Sequence, residues 1–287
     1  MQRVLFHQTI FGPIHSRRLG ASLGVNLSPT DGKVCSFDCL YCEAGYNAQG
    51  PGTSGLPSRE TVASQLEEKL RTMSAEGADL DVITFSGNGE PTMHPDFAGI
   101  IDDTIVLRDK YYPEVKISVL TNSTRLYKDD VAKALRRVDN NIMKLDSANG
   151  HTVALLDRPV DKRYRVDDII EQIAGFGREG IVQTMITRGV HNGIAVDNTT
   201  EEEIAGLIAA YKKIMPREVM IYTIDRKTPE QSLQRVSLDE LKSIADRITR
   251  ETGLTVQVSG EGVNSYASIG AMRRRAAMNA SASAKVL

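Results

Sequence analysis

The chain has 287 residues, of which 41% are hydrophobic and 25% charged, so it is large enough to bury a sizeable core. Its formal net charge of -2 excludes an overall positive field that would draw it onto nucleic acid or an anionic membrane. No stretch approaches the roughly 20 apolar residues of a membrane span, and residues 1–23 lack the apolar core of a signal peptide. We therefore expect a cytoplasmic protein with no membrane partner.

Short apolar runs alternate along the chain with amphipathic segments, which predicts an α/β fold. Strands are predicted, in chain order, at residues 23–27, 81–86, 115–121, 141–145, 181–187 and 218–224, with a further strand at 254–258. Helices are predicted at residues 59–76, 97–107, 128–137, 166–176 and 200–214, and another begins at Ser237. The pattern alone fits both a doubly wound sheet and a complete or partial barrel.

Two of the predicted helices begin with the spacing of a capping box, in Thr200 with Glu203 and in Ser237 with Glu240. Residues 45–55 carry four glycines and a proline, which predicts a loop. The tail at residues 276–287 is dominated by alanine and serine, and we expect it to fray.

All three cysteines of the chain, Cys35, Cys39 and Cys42, lie within one short segment. An odd number at this spacing is hard to reconcile with a disulfide framework. Three thiolates could wrap one iron–sulfur cube and leave one iron open for a borrowed ligand or a small molecule. A structural zinc ion is the alternative, but it would need a distant fourth ligand, because the nearest histidine, His15, is twenty residues from Cys35.

Polar residues follow several of the predicted strands. After the second strand, Gly87 and Gly89 would allow the backbone to approach a small polar ligand closely. Short polar side chains follow the third and fourth strands, where such residues are also ordinary loop starters and helix caps: Thr121, Asn122, Asp146 and Ser147. Arginines flank the first and sixth strands and would suit a carboxylate or phosphate of a substrate, or a solvated surface: Arg17, Arg18 and Arg226.

The Cys-x3-Cys-x2-Cys run, with Tyr41 before its last cysteine, resembles the cluster loop of the radical S-adenosylmethionine superfamily. The resemblance extends to about residue 229 and is closest to a branch of small iron–sulfur oxidoreductases related to wyosine-type tRNA-modifying enzymes. That branch opens with the segments Phe11-Gly12-Pro13, Ser16-Arg17-Arg18-Leu19-Gly20 and Ser22-Leu23-Gly24-Val25. It implies a partial (β/α)6 TIM-like barrel with an N-terminal extension over residues 1–229, then a short C-terminal extension of helix, strand and frayed tail over residues 230–287.

The same resemblance implies a [4Fe–4S] cluster on Cys35, Cys39 and Cys42, whose open iron binds S-adenosylmethionine. One electron, from a donor such as flavodoxin or ferredoxin, would cleave that cofactor to methionine and a 5′-deoxyadenosyl radical. The radical would remove a hydrogen atom from an unknown substrate, which could be a small molecule, a peptide or an RNA. No catalytic side chain is implied beyond the cluster and the cofactor.

The resemblance also assigns cofactor contacts to the strand ends. Gly87, Asn88, Gly89 and Glu90 match the motif that holds the methionine amino group, although many members keep glycine where this chain has Asn88. Tyr41 would lie beside the adenine. Asn122 and Asp146, with Thr121 and Ser147 behind them, would surround the ribose and sulfonium, and Thr187 would make a weaker contact.

Several functions stay open at this point. The neighbouring branch favours a tRNA-modifying enzyme, whereas the acidic balance of the chain argues against tight phosphate binding. A glycyl-radical-activating enzyme would need only one cluster and a polypeptide substrate. An iron–sulfur electron carrier or sensor without catalysis is disfavoured, because the glycine-rich turn and the polar strand ends are all present.

Overall fold

A computed structural model describes residues 3–16, 19–260 and 263–267 of the chain. Arg17 and Arg18, predicted as substrate contacts, lie outside the described residues, as does the tail at residues 276–287. Within the described ranges, no helix is long and apolar enough to cross a membrane.

Twelve strands are found in the described part of the chain. In chain order they are β1 Ile10–Ser16, β2 Gly20–Val25, β3 Val82–Phe85, β4 Lys116–Thr121, β5 Asn140–Lys144, β6 Gly180–Met185, β7 Thr187–His191, β8 Ile194–Asp197, β9 Glu218–Tyr222, β10 Gln234–Arg235, β11 Val256–Gly260 and β12 Val263–Ala267. The helices of the same part are α1 Arg59–Ala75, α2 Phe97–Tyr111, α3 Asp129–Leu135, α4 Gly150–Leu156, α5 Val166–Ala174, α6 Glu201–Ile214 and α7 Leu238–Thr252.

The main sheet has the strand order β1-β2-β3-β4-β5-β6-β9-β11-β12. Strands β2 to β6 and β9 are parallel neighbours, and at least one helix follows each of them along the chain, which confirms the predicted partial (β/α)6 barrel. The sheet of described strands is open rather than closed, and it ends on the antiparallel strands β1 and β12. The predicted late strand is β11, which pairs in parallel with β9 and so continues the sheet. The domain boundary near residue 229 stays a prediction.

The core lies on both faces of this sheet, because alternate strand residues point to opposite sides. One face packs against the helices and buries apolar residues such as Leu23, Ile83 and Ile117. The opposite face holds a smaller cluster of Ile142, Ile181 and Met220. Parallel strands bring their carboxyl ends to one edge of the sheet, where the polar residues singled out from the sequence collect.

The two predicted capping boxes form only in part. Thr200 and Ser237 each accept a hydrogen bond from the backbone N–H three residues later, as the spacing predicts. Glu203, however, does not turn back to its cap: its carboxylate is buried and accepts from the hydroxyls of Ser147 and Thr152. A tertiary contact has replaced the local one.

A second sheet, β10-β7-β8, is absent from the sequence prediction. Its hairpin turns at Asn192 and Gly193, both with positive φ, which is the chemistry of a two-residue hairpin turn. The Asn-Gly pair was the signal in the sequence from which this hairpin could have been predicted. Val196 and Leu233 of this region pack onto the segment that carries the cysteines, so the small sheet covers one side of that segment.

Candidate functional site

The cysteine segment, residues 33–47, follows β2 and is called the cluster loop below. Neighbouring backbone holds it in place: Leu40 N–H donates to Leu156 O over 2.9 Å, and Asp38 N–H donates to Asp157 O over 3.0 Å. Within the loop, the Asn47 amide donates to the carbonyls of Cys35 and Phe37. The loop is thus positioned by main-chain bonds that do not depend on the thiols.

The three thiols lie in mostly apolar surroundings. Cys39 is buried, and Cys35 and Cys42 pack against the same apolar cluster. Burial raises the pKa of the Cys35 thiol to about 12 and raises that of Cys39 well above its usual range, because a thiolate there would lose its hydration. Binding iron would supply the positive charge that a buried thiolate lacks.

The donor set fits an iron–sulfur cube better than a zinc ion. Among the described residues, no three histidine, cysteine, aspartate or glutamate side chains converge closely enough to hold a single metal ion. A zinc site needs ligands around one centre. A cube binds each thiolate through a different iron, so it needs thiols spread around a small volume on a loop of this kind.

The glycine-rich turn, residues 86–90, follows β3 and packs directly against the cluster loop. Val34 and Gly89 form an isolated parallel bridge, and Glu90 N–H donates to Val34 O over 3.0 Å. A Cβ atom on Gly89 would lie 1.8 Å from Val34 O, and one on Gly87 would lie 2.3 Å from Asn26 Oδ1. Only glycine, which has no Cβ, fits at these two positions, because Val34 and Asn26 of the same chain pack so closely there. This holds whether or not a ligand also binds at the turn.

Glu90 is buried and hydrogen-bonded within the protein. Its Oε1 accepts from the hydroxyls of Thr92 and Thr121, and its Oε2 accepts from Asn122 N–H over 2.6 Å. Desolvation raises its pKa, and these donors lower it again in part. Asn122 in turn places its amide 2.9 Å from Ser36 Oγ and 3.6 Å from Cys35 Sγ. The geometry makes Glu90 a support for Asn122 beside the first cysteine.

Asn88 faces away from the cluster loop and toward the N-terminal segment, residues 3–9. Its Oδ1 accepts from Phe6 N–H over 2.8 Å, and its Nδ2 donates to the carbonyls of Phe6 and Pro29, each over 2.9 Å. The side chain is 0% exposed. Asn88 thus fastens the N-terminal segment to the turn.

A buried charged network follows β5. Lys144 Nζ lies 2.9 Å from Asp146 Oδ2 and 3.0 Å from Asp157 Oδ1. The Tyr41 hydroxyl donates to Asp146, and its oxygen lies 3.3 Å from Asp157 Oδ1. Burial raises the pKa of Asp157 to about 8, against the opposing effect of Lys144. Sequence reasoning missed Lys144 and Asp157 as site residues. A lysine directly after the apolar residues Ile142 and Met143 was the only signal for the first, and there was none for the second.

The remaining predicted contacts are also engaged within the protein. The Ser147 hydroxyl donates to Glu203, and the Thr187 hydroxyl donates to Gln234 O over 2.9 Å. Thr187 N–H also donates to Asn198 Oδ1. Their roles toward a cofactor stay predictions, as do those of the other strand-end residues.

A cavity of about 230 Å³ opens among the strand ends, at the mouth of the barrel. Its wall includes Tyr41, Met185 and Tyr222, together with hydroxyl residues such as Thr84 and Ser86. Arg226, predicted as a substrate contact, lines this cavity and pairs with Glu43 over 2.7 Å. Because Glu43 directly follows Cys42, the ion pair joins the loop after β9 to the cluster loop.

Comparisons with known proteins identify the family of this chain. A profile of the radical SAM superfamily matches residues 30–211. A UPF0026 protein from Synechocystis is 30% identical over 232 residues, which cover 79% of this chain and 78% of that protein. A protein named GTPase Obg from Brachyspira hyodysenteriae is 29% identical over 238 residues, covering 81% of this chain, which spans only 32% of that protein.

Solved structures share the fold at low identity. A radical SAM methyltransferase from Sphaerobacter thermophilus superposes with a TM-score of 0.60 at 16% identity, covering 84% of this chain and 67% of that one. TYW1 with a lysine–pyruvate adduct superposes with a TM-score of 0.58 at 12% identity, covering 85% of this chain and 78% of that one. The family match and the fold together show that the chain belongs to the radical SAM superfamily, whose cofactors are a [4Fe–4S] cluster and S-adenosylmethionine.

Proposed function

We propose that this protein is a cytoplasmic enzyme that reductively cleaves S-adenosylmethionine at one [4Fe–4S] cluster held by Cys35, Cys39 and Cys42. The 5′-deoxyadenosyl radical so formed would abstract a hydrogen atom from a substrate at the barrel mouth. The observation that carries the proposal is the cluster loop itself, which holds three buried or half-buried cysteines against the glycine-rich turn. A one-electron donor such as flavodoxin or ferredoxin would supply the electron.

The side chains around the loop have supporting roles in this proposal. Glu90 fixes the backbone of Asn122, and Asn122 directs its amide toward Cys35. The apolar cluster around Cys39 keeps water from the reacting centre, which protects a reactive intermediate from side reactions. The strand-end residues that the resemblance assigns to S-adenosylmethionine lie at the same edge of the sheet, and we propose them as its contacts.

The structural neighbours, at 16% and 12% identity, share the fold with this chain and do not indicate its substrate. A tRNA-modifying enzyme, a glycyl-radical-activating enzyme and a small-molecule enzyme all fit the same cofactor site. The cavity at the barrel mouth, with Arg226 on its wall, is where we propose that substrate selection takes place.

The test is anaerobic reconstitution with iron and sulfide, then dithionite reduction with S-adenosylmethionine and an assay for 5′-deoxyadenosine. We expect the product from the parent protein and none above background from Cys39→Ala. Val106→Ala is the matched control, because Val106 is 65% exposed on α2 and lies away from the cluster loop. A parent protein that binds a cluster but yields no 5′-deoxyadenosine under strong reduction would favour an electron carrier or sensor instead.

A further inference from the structure

Lys144, the last residue of β5, has a mostly buried side chain. Its side chain is 14% exposed, and its Nζ lies 4.2 Å from the centre of the Tyr41 ring. A buried ammonium is costly unless its charge is compensated. Here Asp146 and Asp157, whose side chains are 0% and 3% exposed, accept hydrogen bonds from the ammonium.

The ammonium has a third neighbour that charge compensation does not require. Its Nζ lies 3.6 Å from Cys39 Sγ, within hydrogen-bonding distance for sulfur. An ammonium carries three N–H donors, and the three acceptors around it are Asp146, Asp157 and the Cys39 sulfur. The two carboxylates fix the position of Nζ, and the remaining donor is directed at the thiol.

The carboxylates do not depend on Lys144 alone for their hydrogen bonds. Asp146 Oδ1 accepts from Met185 N–H over 2.9 Å, and the Tyr41 hydroxyl donates to Asp146 and lies 3.3 Å from Asp157 Oδ1. The lysine therefore adds a fixed positive charge to a network that already has other donors. That charge lies beside one of the three sulfur atoms that would carry the cluster.

A positive charge held close to a cluster ligand changes the redox equilibrium of the cluster. Reduction adds one negative charge in surroundings of low dielectric, so a nearby cation stabilises the reduced form more than the oxidised form. A hydrogen bond donated to the ligating sulfur acts in the same direction. Both effects raise the reduction potential.

We propose that Lys144 is a positioning residue that holds its ammonium against Cys39 Sγ and thereby raises the reduction potential of the cluster. The inference rests on the proposed function, because it requires a cluster on the three cysteines. Lys144 takes no part in breaking the carbon–sulfur bond of S-adenosylmethionine. It makes delivery of the electron easier for the donor.

The experiment is an anaerobic redox titration of the reconstituted protein, followed by electron paramagnetic resonance of the reduced cluster. At the midpoint potential of the parent, we expect Lys144→Gln to lower the ratio of reduced to oxidised cluster at least tenfold. That change corresponds to a potential lower by about 59 mV for a one-electron couple. Lys144→Arg keeps the charge and should stay within twofold of the parent ratio.

Lys110→Gln is the control for loss of a lysine charge, because Lys110 pairs with Glu67 between the exposed surfaces of α2 and α1. It should leave the ratio unchanged. An unchanged ratio in Lys144→Gln would overturn the proposal, and so would an equal fall in Lys144→Arg. If Lys144→Gln holds no cluster, Lys144→Arg decides: a ratio near that of the parent supports the proposal, and a tenfold fall refutes it. Cleavage of S-adenosylmethionine by the parent is recorded in parallel, so failure of the proposed function is seen separately.

Discussion

The backbone of the cluster loop and the side chain of Arg226 lie at the same edge of the sheet, yet the contacts that hold them differ. Backbone hydrogen bonds join the cluster loop to the segment at residues 156–160 and to the glycine-rich turn, and the polar atoms involved are largely buried. Arg226 is 62% exposed and reaches Glu43, which is 38% exposed, through one ion pair.

This difference has an energetic consequence. A buried polar group that loses its partner keeps the full cost of its lost hydration, whereas an exposed ion pair contributes about 0–1 kcal/mol. The buried backbone contacts of the cluster loop should therefore tolerate few substitutions, and the exposed pair of Arg226 with Glu43 should tolerate many. Such an arrangement suits an enzyme whose cofactor chemistry is fixed and whose substrate contacts are open to change.

The largest expected effect is that of Gly89→Ala, at the contact between the turn and the cluster loop. The added Cβ would lie 1.8 Å from Val34 O and 2.6 Å from Ser28 Oγ, so backbone has to move. We expect a loss of about 3 kcal/mol or more in the free energy of unfolding, measured by urea denaturation. Gly150→Ala is the control, since a Cβ there meets nothing within 4 Å. Equal stability of the two variants would show that the contact is not tight.

A smaller loss in the free energy of unfolding is expected for Asn88→Ala, which removes the hydrogen bonds between the glycine-rich turn and the N-terminal segment. The change removes one buried and two partly buried hydrogen bonds and leaves the Phe6 and Pro29 backbone groups without those partners. The expected cost is about 2–3 kcal/mol by urea denaturation, with faster proteolysis near Phe6. A variant as stable and as protease-resistant as the parent would contradict this role for Asn88.

The pH dependence of stability tests the buried network behind the cluster loop. The pKa of Asp157 is raised from 3.8 to about 8 in the folded protein, so the folded state binds more protons than the unfolded state between those values. Stability of the cluster-free protein should therefore fall as pH rises toward 8, by at most about 1.4 kcal/mol per pH unit. Asp157→Asn should flatten this slope between pH 5 and 7.5. An identical slope in parent and variant would argue that Asp157 is ionised throughout.

The smallest effect is expected at the mouth. A double-mutant cycle with Arg226→Gln and Glu43→Gln should give a coupling energy below about 1 kcal/mol in thermal or urea unfolding, because the Arg226 side chain is 62% and the Glu43 side chain 38% exposed. A coupling energy of several kcal/mol would show that the exposed ion pair stabilises the fold as strongly as the buried contacts of the cluster loop do.

The parts of the fold that could be predicted are those with a local periodic signal. The six parallel barrel strands and the helices between them follow from runs of apolar residues and from caps such as Ser58, Thr200 and Ser237. Helix α4 and strand β1 were missed. The first spans only about two turns and begins at Gly150, a poor helix former. The second is an edge strand interrupted by Gly12 and Pro13, which breaks the alternation of a strand.

The sequence by itself determined the cysteine loop and the α/β class, because ligand spacing and hydrophobic periodicity are written in neighbouring residues. The partial barrel was predicted only from the resemblance of its motifs to the superfamily. Only the tertiary structure decided what surrounds the thiols. Lys144 and Cys39 are 105 positions apart, Asn122 and Cys35 are 87 apart, and Arg226 and Glu43 are 183 apart. Such contacts arise when parallel strands bring their carboxyl ends to one edge, and no local pattern encodes which side chains meet there.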